Sequence, residues 1–296
     1  MLTPTYDALL AQFSSPPQQP SSLGPQQPKS KLIGFEDIDM PARATAANLQ
    51  GYQEELAAIR SMDSTKIEPK LVAEAHQEAG YATVDTSNIA AQGGNALQQL
   101  AALAAGIAVL DAAGAANLVW RLGINTDFWT NVGLIRAGQG IIWQHLHSRG
   151  IEVFILKKHA IMPRNSMGTL DGYSNVIRQS IATTTAILTG ADLLTLPPFA
   201  ASMTPDRLRV QANLLPVLAE EGKILTHSNL FSGAYWPDLL AAKLMRKALK
   251  LDIATLHEAI ATTAAARTAA IESGQLTIVG ETKFANPLLT IPGPTA

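Results

Sequence analysis

A chain of 296 residues that is 47% hydrophobic and only 16% charged can bury a sizeable core, and broad buried surface, including a subunit interface, is expected of it. Its net charge of −2, with no dense run of Lys or Arg, argues against a nucleic-acid role, because neutralising phosphates needs a basic face. The absence of cysteine removes disulfides and thiolate metal sites from consideration.

The opening MLTPTYDALLAQF lacks a charged leader and a continuous apolar run, so it does not read as a secretory signal and a cytoplasmic location is expected. Leu2, Tyr6, Leu9, Leu10 and Phe13 share one helical face, which suits either a helix that docks on a partner or a frayed terminus. Residues 14–30, SSPPQQPSSLGPQQPKS, carry almost no apolar surface and read as a mobile linker, so residues 1–30 form a helix plus a disordered Pro/Gln segment. Residues 31–80 read as a helical lead-in. Within it KLIGFEDID is a possible extra strand, and AANLQGYQEELAAIRSM and EPKLVAEAHQEAG are helices.

From residue 82 strand and helix alternate. ATVDTS is followed by a helix over about 95–113, and NLVWRLGI (117–124) by the helix in DFWTNVGLIRAGQGIIWQHLHSRG. IEVFIL (151–156) leads through a polar loop to YSNVIRQSIATTTAILTG, and ADLLTLPPF leads to TPDRLRVQANLLPVLAEEG. The helices end near Gly114, Gly150, Gly190 and Gly222. Four consecutive βα units imply parallel strands with right-handed crossovers. Periodicity alone leaves an open doubly wound sheet and a (β/α)₈ barrel both standing. The most apolar window, 96–120, reads as a buried helix and its following strand.

Four motifs in order carry a resemblance. RLGINTDFWTNVGLIRAGQGIIW, LDGYSNVIRQSIATTTAILTGADLLTLPPF, NLFSGAYWPDLLAAKL and TIVGETKFANP resemble successive segments of the methylmalonyl-CoA mutase family over about residues 80–287. The resemblance implies an α/β fold: a partial TIM-type barrel over 81–296, roughly its second half, with C-terminal helices. In catalytic members, the family implies, acyl-CoA threads the barrel and adenosylcobalamin caps it.

The family's S-G-Y-H turn corresponds here to VDTSN, so Ser87 and Asn88 stand at its Tyr and His positions. Neither can act as an acid near neutrality. After the next-but-one strand, HAIMPR keeps His159 but puts Ile161 where the family has a glutamine facing the substrate. RLGINTDFW and VDTSNIAAQGG look more like the small, non-catalytic subunit than the catalytic one. No D-x-H-x-x-G cobalamin motif occurs. The resemblance thus implies no catalytic residue and no cobalamin bound by this chain alone, with Arg121 and His159 left as contacts for a CoA-like ligand.

Other features have plainer readings. His145 and His147 are two apart, so on a helix they diverge and make a poor metal pair. AGQGII sits inside a helix and is no dinucleotide loop. A Ser87–His159–Asp171 triad would lack a nucleophile elbow. Asp171 suits a helix cap better than a catalyst, and Arg136 a structural ion pair.

The leading expectation is a structural or regulatory subunit of a cobalamin-dependent acyl-CoA mutase, inactive alone. The isomerisation of methylmalonyl-CoA to succinyl-CoA would be carried by a partner that also holds adenosylcobalamin. The alternatives are a mutase whose active site a second chain completes, and a stand-alone CoA- or acyl-binding protein. A half-barrel exposes sheet edges, so pairing with a catalytic subunit or with itself is expected, and neither nucleic acid nor membrane is.

Overall fold

The computed structural model describes residues 73–76, 81–111, 117–151, 155–224, 231, 234–285 and 292–293. The expectations for residues 1–30, and for KLIGFEDID and AANLQGYQEELAAIRSM within 31–80, lie outside these residues.

Five strands form one sheet in the order β1-β2-β3-β4-β5: Ala73–His76, Tyr81–Asp85, Asn117–Gly123, Ile155–Ile161 and Leu193–Thr195. Strands β2 to β5 are parallel, and β1 pairs with β2 antiparallel. Between them run α1 (Ser87–Ala91), α2 (Ala96–Asp111), α3 (Phe128–His147) and α4 (Gly172–Leu188). Then follow α5 (Pro205–Pro216), α6 (Tyr235–Ala248) and α7 (Leu256–Glu272). The parallel strands succeed one another in a single direction with no reversal. That is the order of a barrel arc; a doubly wound sheet reverses at its switch point. The fold is therefore mixed α/β with the parallel sheet of a partial TIM-type barrel.

Two readings shift. The helix expected across EPKLVAEAHQEAG gives way at Ala73–His76 to a strand, because the open edge of β2 offers backbone partners that a local helix would forgo. The strand expected at 151–156 runs on to Ile161. Lys157, Lys158 and His159 made its second half look like loop, and each is satisfied by a residue distant in sequence.

Register separates the faces. Val84, Trp120 and Lys158 form one cross-strand row, and Leu122, Ala160 and Leu194 the next. These turn toward the helices, where Trp120 packs on α3 at Gly138. Trp120, Leu100, Leu103, Ile135 and Ile142 are fully buried there. Each contributes about 1.5–3 kcal/mol relative to exposure. The alternate rows, Asp85–Arg121–His159–Leu193 and Gly123–Ile161–Thr195, turn the other way, toward the side that would be the barrel's lumen. Helix starts follow local chemistry: Asp127 caps α3 at Thr130, and Asp171 caps α4 at Tyr173 and Ser174.

Candidate functional site

The site is the lumen-facing row at the carboxyl ends of β2, β3 and β4, where a parallel barrel places its chemistry. Asp85 ends β2. Its Oδ1 accepts hydrogen bonds from the Ser87 backbone N–H (2.9 Å) and the Ser87 hydroxyl (2.6 Å). Its Oδ2 lies 3.3 Å from Nη1 of Arg121, its register partner on β3, and the two side chains are 16% and 9% exposed. The carboxylate thus closes the strand–helix turn and neutralises the guanidinium at once.

His159 follows in the row, opposite Arg121 on β4. Its Nε2 is 2.8 Å from the Thr195 hydroxyl on β5. Burial pushes its pKa down to about 3, with the Arg121 charge adding to the effect. A neutral imidazole can orient a ligand but cannot exchange a proton near neutrality. Lys157, on the same face, pairs with Asp192 at 3.3 Å.

Residues that sequence reasoning missed hold this row in place. Gln99 of α2 donates to the Gly123 carbonyl (3.0 Å) and accepts from the Gly123 N–H (2.8 Å), tying a helix to the end of β3. The Thr86 hydroxyl accepts from Trp120 Nε1 (3.0 Å) and approaches the Arg121 carbonyl (3.0 Å). Gln99 is a polar residue on an Ala/Leu helix, the one cue the sequence offered. Gly93, at φ +88°, makes the turn from α1 into α2 in a conformation that favours glycine.

Facing the helices, Lys158 is buried and desolvation lowers its pKa to about 8, opposed by Asp192. Its Nζ donates to the Thr189 carbonyl at the carboxyl end of α4 (2.9 Å), where the helix dipole favours a cation.

The other motif residues are structural. Asp171 accepts from the N–H groups of Tyr173 (3.0 Å) and Ser174 (3.3 Å) and from the Ser174 hydroxyl (2.6 Å). Asn175 bonds both the N–H and the carbonyl of Gly168 and the carbonyl of Phe199. Arg178 bonds Asn175 and the Val279 carbonyl, and Glu281 accepts from Thr169 and Leu170. Residues 169–178, which flank and include DGYSN, and the distant TIVGET motif are therefore two halves of one clasp. Arg136 pairs with Asp238 of α6. Ser87, His159 and Asp171 have separate partners and form no triad. His147 stacks on Trp143 with centroids 4.8 Å apart. No group of three or more His, Cys, Asp or Glu able to hold a metal occurs among the described residues. No helix among them is long and apolar enough to cross a membrane. In the NLFSGAYW region Phe231 and Trp236 pack edge-on against Phe128 and Trp129.

A family model described as methylmalonyl-CoA mutase matches residues 70–291. The mitochondrial methylmalonyl-CoA mutases of Mus musculus and Homo sapiens are each 26% identical over 204 residues, covering 62% of this chain and 27% of those proteins. The methylmalonyl-CoA mutase of Cereibacter sphaeroides is 28% identical over 205 residues, covering 62% of this chain and 28% of that protein. The chain thus matches little more than a quarter of the length of these relatives.

Proposed function

The chain belongs to the methylmalonyl-CoA mutase family, and we propose that it is a non-catalytic structural or regulatory subunit of a cobalamin-dependent acyl-CoA mutase. The isomerisation of methylmalonyl-CoA to succinyl-CoA is then the work of its partner. One observation carries the reading: in the Asp85–Arg121–His159 row each charge is met by another of the chain's own groups, and the imidazole is held neutral far below physiological pH. Ser87, at the position where the family has a tyrosine, spends its hydroxyl on Asp85. The row can bind and orient, but its imidazole is not poised for acid–base work near neutrality.

Adenosylcobalamin, the group the family implies, would need a reachable imidazole to hold it. His159 is 1% exposed and bonded to Thr195, so it does not fit that role, and we place the cofactor with the partner. The partner is a catalytic mutase subunit or a second copy that completes the barrel, over an interface well above roughly 1,000 Å². Among the described residues the parallel strands form an arc and not a closed barrel, which supports this association.

The test is turnover by the purified chain given adenosylcobalamin and methylmalonyl-CoA, beside co-purification from its native host. The expected result is no succinyl-CoA from the chain alone and recovery of a cobalamin-binding mutase with it. Succinyl-CoA formed by the isolated chain would end the proposal.

A further inference from the structure

We infer that Asp85 is the built-in occupant of an anion site at Arg121, so that the lumen face admits a neutral hydrogen-bond acceptor, such as an ester, thioester or amide carbonyl, and rejects a carboxylate. The inference goes beyond the proposed subunit role and stands whether or not a mutase partner exists.

Three observations support it. First, the carboxylate cannot step aside for an incoming anion. Oδ2 meets Arg121, while Oδ1 is fixed by both the N–H and the hydroxyl of Ser87, so displacing it breaks the turn that starts α1. Second, the face offers a second anion nothing to bind. Arg121 is neutralised by Asp85, and Lys157, the other cation in the lumen-facing rows of β2 to β5, is neutralised by Asp192. A carboxylate placed beside Asp85 would meet like charge in a poorly solvated setting. Third, the guanidinium is not used up. Its Nε is buried with no hydrogen-bond partner, and the Thr83 hydroxyl, two residues before Asp85 on the same face, is likewise buried and unpartnered. Buried donors left unmade are rare and point to a missing acceptor. With the positive charge already balanced, an uncharged carbonyl oxygen suits the remaining N–H. Asp85 is thus the residue that sets the charge class of the ligand.

The test uses the full chain, wild type, Asp85→Ala and Asp85→Ala/Arg121→Gln, melted in sodium formate and in sodium chloride at equal ionic strength. Removing the carboxylate leaves a gap of carboxylate size against Arg121. The expected outcome is a wild-type Tm equal in the two salts, a lowered Tm for Asp85→Ala that formate raises by several degrees, and no formate effect in the double variant. Formate stabilising the wild type as much as Asp85→Ala, or failing to rescue Asp85→Ala, would overturn the inference. A second measurement needs no variant: the Arg121 Nε–H resonance of the wild type is followed by NMR while acetamide or acetate is added. Acetamide should shift it and acetate should not. A shift with acetate, or none with acetamide, would equally refute it.

Discussion

The indole of Trp120 occupies the space where a side chain at Gly138 would begin. Trp120 is fully buried on the helix-facing side of β3, and its Nε1 donates to Thr86 at the turn that carries the candidate site. The second-last glycine of AGQGII therefore exists for the approach of a helix to a strand. Alanine at 138 would gain roughly 1 kcal/mol of helix propensity. It would also drive a methyl into a rigid ring, which costs about 1–3 kcal/mol or more. Gly138→Ala is expected to be destabilised in a urea titration, and Gly138→Ala with Trp120→Leu to recover part of the loss. An unchanged or raised midpoint in the single variant would show that α3 can retreat freely.

Arg136 and Asp238 pair across α3 and α6 with side chains only 12% and 4% exposed. Removing one partner strands a buried charge, so Arg136→Met is expected to cost about 3–5 kcal/mol. Arg136→Met/Asp238→Leu should lose far less than the sum of the single changes, because hydrophobic replacement of a buried pair is often nearly neutral. A double-mutant cycle by chemical denaturation measures this, and additivity would contradict it.

His159 makes folding sensitive to acid. Its folded pKa is about 3, below the ordinary 6.5, so between those values the unfolded chain binds more protons and stability falls as pH falls. By pH 5 the loss from this one group is about 2 kcal/mol. Lys158 acts at the other end. With its pKa lowered to about 8 from 10.5, its contribution to stability rises as pH climbs through that window. Stability measured against pH should show a shallower acid limb in His159→Gln and a flatter alkaline limb in Lys158→Met. Limbs parallel to wild type would mean that neither group is desolvated as the packing implies.

Asp171 is half-buried, and its carboxyl is held below the usual range chiefly by the Ser174 hydroxyl. Its capping contribution is present above the ordinary carboxylate pKa and is lost as pH falls through the lowered value. Asp171→Ala should cost about 1 kcal/mol. Asp171→Asn should keep most of the cap while removing its pH dependence. If thermal melts at neutral pH place asparagine level with alanine, the cap is not what the side chain supplies.

The alternation of strand and helix, the parallel sense of the strands, the cap at Asp171 and the structural character of Arg136 were all legible in the chain. Each is written in short-range terms: periodicity, a capping residue two or three positions before the groups it bonds, a lone arginine on an apolar helix. The four motifs, read together, also identified the family. The rest came from contacts between residues far apart in the chain. β4 includes Lys157, Lys158 and His159 only because Asp192, Thr189 and Thr195 meet them from more than thirty residues away. A polar tripeptide without those partners would have been a loop, since burying unpaired polar groups costs several kcal/mol. Ala73–His76 became a strand because the edge of β2 was open to pair with it. The Asp85–Arg121 pair depends on cross-strand register, and a slip of one residue would put the two side chains on opposite faces of the sheet. Charge compensation between strands is a property of register and packing, and no local pattern in the chain records it.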